Sequence, residues 1–290
     1  MDILSAFLLL LSALLASLRN VLIKGFSKFS FKSREFFGLQ AAIFGVGSLA
    51  LLIVNLVSFD GFSIYTLLLA LIYGVLLLCA QWFYTIALAR GKTAICATLY
   101  SFGFLIPTLS GAIVWQESIS VFGYLGILTV IPVLIISGIG KKGVDSISSS
   151  KSYLPPIIIA LICSGGLGVV QKIQQKSIYA NQTKMFVFLA FAFCFIVSLV
   201  FFLALKRGDT KIAPKNLASC TLVGVFFATC NILNTYLAGR LDSAIFFPLL
   251  NIGSILLSLI LGIIIYKERL TKKDLIVLLL SATAIILVNL

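Results

Sequence analysis

The sequence contains no histidine, and only nine of its 290 residues are acidic. Histidine and carboxylates are the side chains that most often hold metals or transfer protons near neutral pH. The six cysteines show no metal-ligand spacing, and neither an HExxH nor a GxSxG pattern occurs. The sequence therefore predicts no catalytic residue, no metal site and no cofactor, and an enzyme is a disfavoured alternative.

Charged residues are also scarce, at 11%, whereas hydrophobic residues make up 61% and the mean hydropathy is +1.17. This balance excludes an ordinary soluble domain. Apolar runs of about 20 residues, the length that crosses a bilayer as a helix, alternate with short charged connections. The predicted spans, numbered 1 to 10, cover residues 3–24, 36–58, 64–88, 93–116, 119–139, 153–172, 185–205, 216–238, 243–266 and 274–290. We therefore predict an all-α integral membrane protein with ten transmembrane helices.

The net charge of +13 is spread over the connections between spans rather than collected in one soluble domain. Of the 22 basic residues, 17 fall in the connections that follow spans 1, 3, 5, 7 and 9, and four fall in the other connections. Basic residues are enriched in cytoplasmic loops, so both termini are predicted to lie outside the cytoplasmic membrane. This distribution does not favour nucleic-acid binding.

One sequence motif occurs twice, and its two copies are separated by about half the length of the chain. An apolar segment passes through Gly111 and stops at Glu117, and a second passes through Gly262 and stops at Glu268. At an offset of 150 positions, further identical pairs are Gly74 with Gly224, Thr85 with Thr235, Arg90 with Arg240 and Gly103 with Gly253. The matches run through spans 3 to 5 and 8 to 10, so the chain is predicted to consist of two similar halves.

The predicted halves are residues 1–140 and 153–290, and a cytoplasmic linker at 141–152 joins them. Each half contains five spans, and an odd number of crossings forces the second half to enter the membrane in the opposite orientation. Two inverted five-helix repeats are a recurring basis of secondary transporters.

The segments that close the two halves, "GAIVWQESISVFGYLGILTVIPVLIISG" and "GIIIYKERLTKKDLIVLLLSATAIILVN", carry a family resemblance. With the five-plus-five arrangement, they resemble the EamA-type carriers of the drug/metabolite transporter superfamily. The resemblance implies import or export of amino acids, sugars or other small metabolites. It also places Glu117 and Glu268 at the family's motif position. Both a structural cap at the N-terminus of the next helix and a role in transport are open for these glutamates.

Polar side chains on spans 3 and 8 occupy equivalent positions in the two halves. Each span carries three of them at spacing i, i+3, i+4, which places them on one helical face. They are Gln81, Tyr84 and Thr85 on span 3, and Asn231, Asn234 and Thr235 on span 8. Spans 4 and 9 are interrupted by glycine and proline, in "YSFGFLIP" and "FFPLLNIG", and add Tyr100 and Asn251. We predict that these side chains line a substrate cavity; the alternative is that they only bind neighbouring helices.

Basic residues stand at related depths in spans 1 and 6, within "SLRN" and "VVQK". Both lie late in their spans, so the long side chains of Arg19 and Lys172 are predicted to extend to the membrane surface. The alternative is that they attract a carboxylate or phosphate of the substrate.

All nine acidic residues fall near predicted span ends, unlike the intramembrane acid of the related small multidrug carriers. We therefore expect a secondary transporter that moves a small polar metabolite by alternating access, with an amino acid or a related zwitterion or anion favoured. The alternatives are a carrier of sugars, nucleotide-linked compounds or quaternary amines, and a non-transporting membrane scaffold. The expected partners are a small-molecule substrate and the lipid bilayer, and a homodimer is left open.

Overall fold

The computed structural model describes residues 3–24, 34–91, 93–117, 120–138, 153–206, 214–267 and 271–288. Within these ranges the chain consists of helices joined by short turns, and no strand is present. The all-helical fold class is therefore confirmed for the described part of the chain. The predicted linker at 141–152 and Glu268 lie outside the described residues.

The helices follow the predicted apolar runs closely. They are α1 (Ile3–Lys24), α2 (Arg34–Val57), α3 (Ile64–Arg90), α4 (Thr93–Ser101), α5 (Leu105–Trp115), α6 (Val121–Gly138), α7 (Leu154–Lys176), α8 (Thr183–Ala204), α9 (Pro214–Arg240), α10 (Ser243–Tyr266) and α11 (Lys272–Val288). Among the described residues, seven helical stretches are long and apolar enough to cross a membrane. A multi-pass membrane protein follows, and the count of ten spans stays a prediction.

Helices α1 to α6 pack extensively against helices α7 to α11. Helix α2 packs on α8 and α6 packs on α11; α3 contacts α7 and α1 contacts α9; α2 also contacts α9, and α3 contacts α8. When α7 is matched to α1, α8 to α2, α9 to α3 and α11 to α6, each of these contacts is either its own counterpart or has a counterpart with the halves exchanged.

Two glycines at matched positions allow the close helix approaches in this arrangement. A Cβ atom added at Gly224 on α9 would lie 2.5 Å from the carbonyl oxygen of Ile43 on α2. A Cβ atom added at Gly74 on α3 would lie 2.7 Å from Cδ1 of Phe193 and 3.2 Å from the carbonyl oxygen of Ala190, both on α8. Because lipid tails are as apolar as the side chains, membrane helices associate mainly through such close packing.

At both copies of the glycine-to-glutamate motif, the helix ends with the same backbone turn. Gln116 follows α5 at φ 54° and ψ 31°, and its amide binds the carbonyl oxygen of Gly111. Lys267 follows α10 at φ 52° and ψ 37°, and its amide binds the carbonyl oxygen of Gly262. They are the non-glycine residues with positive φ in the described part of the chain. One left-handed residue thus closes each helix by the same bond across five positions.

The two predicted helix interruptions differ in the structure. In the first half, the 3-10 turn Phe102–Phe104 separates α4 from α5, so the helix tightens before Pro107. In the second half α10 continues through Pro248, which lies inside the helix. The expectation of paired interruptions is therefore met in the first half, and the second half keeps one continuous helix around a residue that lacks an amide donor.

Candidate functional site

A cavity of about 130 Å³ lies between the two halves of the chain. Helices α1, α3, α4 and α5 line it from the first half, and α7, α9 and α10 line it from the second. Tyr73 and Asn231 show that the lining positions lie well inside their helices. A cavity of ~150 Å³ holds a molecule the size of benzene. The space therefore suits a small metabolite.

Five residues that the sequence suggested for substrate binding converge on this cavity. Arg19 comes from α1, Tyr100 from α4, Asn231 and Asn234 from α9, and Asn251 from α10. Their side chains give polar groups to a space inside an otherwise apolar bundle. Polar groups at such depth are costly unless they bind each other or a ligand.

A hydrogen-bonded network joins three helices at the cavity wall. The Tyr73 hydroxyl donates to Oδ1 of Asn231, and it accepts a 2.9 Å bond from Nε2 of Gln171. Nε2 of Gln171 also lies 3.1 Å from the Thr235 hydroxyl, which donates to the carbonyl oxygen of Asn231. The network satisfies polar groups of α3, α7 and α9 together and holds their orientation.

Two amides of the wall are each anchored at one end. Oδ1 of Asn234 accepts a 2.6 Å bond from the Ser12 hydroxyl, and Nδ2 of Asn251 donates a 2.6 Å bond to the carbonyl oxygen of Phe247. Within the described residues, the NH₂ group of Asn234 and Oδ1 of Asn251 make no hydrogen bond. The cavity thus offers a ligand one amide donor and one amide acceptor.

The matching trio on α3 does not line the cavity. Gln81, Tyr84 and Thr85 are almost completely buried elsewhere in the bundle. Thr85 donates to the carbonyl oxygen of Gln81, and the amide of Gln81 has no hydrogen-bond partner among the described residues. The Tyr84 ring lies 4.4 Å, between centroids, from the ring of Tyr100 at the cavity wall. Equivalent positions in the two halves therefore have different surroundings.

Arg19 carries the positive charge of the cavity wall. Its side chain is buried, with the residue 7% exposed, and Cζ lies 4.2 Å from the centroid of the Phe227 ring. Nη2 donates a 3.3 Å bond to Oδ1 of Asn20, and Nε has no hydrogen-bond partner in the described part of the chain. The prediction that Arg19 extends to the membrane surface is wrong, because the side chain is buried between helices.

Lys172 is buried as well, with 1% exposed, but it is neutralised. Its Nζ lies 2.5 Å from Oε1 of Glu117, and a weaker contact of 3.5 Å reaches the carbonyl oxygen of Leu241. Lys172 follows the cavity-lining Gln171 in α7, yet its own side chain is not among the lining residues. The prediction that Lys172 extends to the membrane surface is wrong too, because the partly buried carboxylate of Glu117 holds the ammonium group.

Glu117 links three helices close to the cavity-lining Gln171. It follows the end of α5, and while Oε1 binds Lys172 of α7, Oε2 accepts a 3.1 Å bond from the backbone amide of Ser243, the first residue of α10. A cap on the next helix, α6, was expected, and the capped helix is α10. A Cβ atom on Gly111 would lie 2.5 Å from Oε2, so this glycine leaves room for the carboxylate.

The surroundings of Glu117 also set its ionisation. Burial by itself would raise the pKa of Glu117, but the hydrogen bond and charge of Lys172 and the bonds from Ser243 outweigh it and lower the pKa below the ordinary value. The glutamate is therefore ionised at neutral pH, as the positive end of α10 and the Lys172 ammonium both require.

Sequence reasoning missed Tyr73 and did not select Gln171 as a binding residue. Gln171 was visible as the polar neighbour of Lys172 in "VVQK". Tyr73 stands alone on α3 because its match at the repeat offset is Val223, so comparison of the halves could not have singled it out. A single polar aromatic in an apolar run gives no signal until a partner is known.

The fold and cavity define a helical, multi-pass membrane protein with a polar site between two halves of its chain. Residues 153–290 match the EamA-like transporter family, which confirms the resemblance to the drug/metabolite transporter superfamily. The matched region comprises helices α7 to α11.

Two further comparisons bear on fold and not on substrate. One solved structure, described only as the crystal structure of a protein, matches with a TM-score of 0.65 and 16% sequence identity, over 99% of this chain and 96% of that one. At this identity it shows the fold alone. No curated protein gives a significant match.

Proposed function

We propose that the protein is a secondary transporter that moves a small polar metabolite across the cytoplasmic membrane by alternating access. An amino acid, or a related zwitterion or anion, is the favoured substrate class. The observation that carries the proposal is the polar cavity between the halves, which has Arg19 and four asparagines in its wall. A bundle that only spanned the bilayer would have no reason to retain such groups.

The proposal includes two inverted five-helix repeats, residues 1–140 and 153–290, with ten spans in all. The exchange of helix contacts between the halves and the matching left-handed turns at Gln116 and Lys267 support this arrangement. In an inverted pair, each half can adopt the conformation of the other, which moves the opening of a central site from one membrane face to the other. The positive-inside pattern supports termini outside.

The difference between α3 and α9 supports alternating access. Asn231 of α9 contributes to the cavity wall, whereas its match on α3, Gln81, is packed away with both amide atoms buried and without partners. A single conformation of an inverted repeat is expected to show this asymmetry, because the two halves are then in different states. After exchange of the states, Gln81 would occupy the environment that Asn231 has now.

The Glu117–Lys172 ion pair supports the same mechanism at the level of a gate. It ties the end of α5 to α7 and to the N-terminus of α10, next to Gln171 in the cavity wall. We assign to it the closure of the cavity at this end, which the positive-inside pattern puts outside the cytoplasm. Opening there requires the pair to separate, and water then solvates both charges.

Uptake into proteoliposomes tests the proposal, with labelled amino acids, organic acids and sugars exchanged against the same unlabelled compound. Asn231→Ala and Gln81→Ala are both expected to lower exchange by about tenfold, the loss of one or two buried hydrogen bonds. Gln40→Ala is the matched control, because Gln40 is a buried amide on α2 outside the cavity wall.

Three results would separate the explanations. Loss in Asn231→Ala with full activity in Gln81→Ala would support a fixed site and contradict the exchange of states. Wild-type exchange in both variants would mean that the polar faces only hold helices together. The absence of exchange for every compound, with correctly folded protein, would favour a non-transporting role.

A further inference from the structure

We propose that Arg19 is the anion-binding group of the cavity, and that the metabolite bound there carries a carboxylate or a similar oxyanion. The inference rests on the proposed transport function and specifies the chemistry of its substrate. It assigns this role to Arg19 and excludes Lys172.

The guanidinium group of Arg19 lies over an aromatic ring. Its Cζ lies 4.2 Å from the centroid of the Phe227 ring, so the ring covers one face of the cation. Phe227 is itself fixed by aromatic neighbours, since its centroid lies 5.3 Å from that of Phe191 and 5.9 Å from that of Phe44. The side chain of Arg19 is thus oriented before any ligand arrives, which lowers the cost of binding.

Within the described part of the chain, no acidic side chain pairs with Arg19. Its hydrogen bond in the described part of the chain goes to the neutral amide of Asn20, and Nε is buried without a partner. Among the described residues no acidic side chain lines the cavity, and the partly buried carboxylate of Glu117 is already bound to Lys172.

A buried cation without a counterion is unfavourable by itself. The face-on contact with Phe227 offsets only part of the cost. A ligand oxyanion removes the rest, because the free edge of a guanidinium group presents parallel N–H donors that match the two oxygens of a carboxylate or phosphate. Lys172 cannot take this part, since its ammonium group is occupied and outside the cavity wall.

The neighbouring amides define the rest of the recognition. The NH₂ group of Asn234 supplies a further donor, and Oδ1 of Asn251 supplies an acceptor for an ammonium or hydroxyl group. An amino acid, a hydroxy acid or a small phosphate ester contains the required oxyanion. A quaternary amine does not, and Arg19 would repel it.

The test uses pairs of ligands that differ only in the anionic group: serine and serinamide, and lactate and lactamide, with inorganic phosphate and acetate as minimal oxyanions. Thermal unfolding of the detergent-purified protein is measured over a ligand titration, because a ligand of the folded state raises the unfolding temperature. The acid of at least one pair, or a minimal oxyanion, is expected to raise the temperature, and the paired amide is not.

Substitutions connect the shift to Arg19. Arg19→Gln is expected to weaken the affinity for the acid by about tenfold or more, and Arg19→Lys to restore part of it. Arg240→Gln is the matched control, because Arg240 also stacks on an aromatic ring, at 4.5 Å from the Tyr236 centroid, but is exposed and outside the cavity. It is expected to leave the affinity unchanged.

The proposal is overturned if acids and amides act alike, if Arg19→Gln binds the acid as wild type does, or if none of the oxyanions shifts unfolding at tens of millimolar. If Arg19→Gln does not fold, the comparison of Arg19→Lys with wild type decides. Binding that depends on Arg19 without exchange in proteoliposomes would refute transport and keep the anion site. Exchange of neutral compounds that is unchanged by substitution of Arg19 would support transport and refute the anion site.

Discussion

Arg19 and Lys172 are two buried cations at nearly matched places in the two halves, and the groups around them differ. Lys172 is neutralised by Glu117 and fastens α7 to the ends of α5 and α10. Arg19 lies against an aromatic ring in the cavity wall with Nε unbonded among the described residues. The first charge holds helix ends together. In the proposed function, the second binds the ligand.

From this comparison we expect the paired cation, Lys172, to contribute more to the free energy of unfolding than Arg19 does. Glu117→Gln leaves the Lys172 ammonium buried without a counterion, and breaking such a pair costs on the order of 3–5 kcal/mol, or about 5–10 °C in unfolding temperature. Thermal unfolding in detergent measures it. Asp60→Asn is the control, because Asp60 pairs with Lys184 at a partly exposed site, where ion pairs contribute about 0–1 kcal/mol.

A double variant, Glu117→Gln with Lys172→Met, is expected to recover most of the loss, because no buried charge is left behind. Equal losses in Glu117→Gln and Asp60→Asn would contradict the assignment of Glu117 as a structural partner.

The same pair predicts a dependence on pH. The pKa of Glu117 is lower in the folded protein than its ordinary value of about 4.3, so its stabilisation is complete above that value and is lost as the pH falls through the folded-state pKa. The difference in unfolding temperature between wild type and Glu117→Gln should thus be constant from about pH 7 to pH 5 and shrink in more acidic buffer. A difference that grows on acidification would reverse the assigned sign.

A smaller effect is expected at the glycine beside this carboxylate. Gly111→Ala places a methyl group where Oε2 of Glu117 and Cβ of Ser243 now lie, at 2.5 and 3.0 Å, so the ion pair must shift. We expect unfolding to fall by a few degrees, roughly the cost of 1–2 kcal/mol. Gly166→Ala is the control, since its added Cβ meets only the flexible end of Leu76. Equal losses in both variants would show that the carboxylate is not the sensitive contact.

The smallest effect on stability is expected at the unpaired cation. Arg19→Met removes a buried charge and leaves no acid unpaired, so the unfolding temperature of the ligand-free protein should stay within about 2 °C of wild type or rise. Substrate exchange should nevertheless be lost. A large loss of stability in Arg19→Met would mean that Arg19 is a structural residue like Lys172.

Part of this site was within reach of sequence reasoning. Asn231, Asn234, Asn251, Tyr100 and Arg19 were selected because polar groups inside long apolar runs are costly, and the structure brings them to one cavity. Gln81 and Thr85 were selected by the same reasoning and lie elsewhere. Matching positions in the two halves predicted equal surroundings, but different helices pack against them in the structure.

The sequence alone was enough to predict that the protein lies in a membrane and where its helices run. Apolar runs of about 20 residues can satisfy their backbone in a bilayer only as helices, and glycines at matched positions mark where those helices approach closely. Only the folded structure shows which distant side chains and helix ends contact each other. Glu117 meets a lysine 55 positions away and a helix start 126 positions away, while Arg19 meets no acid among the described residues. The spacing of residues along a helix predicts which face of the helix a side chain occupies. The charge that it meets there depends on which distant helix packs against that face.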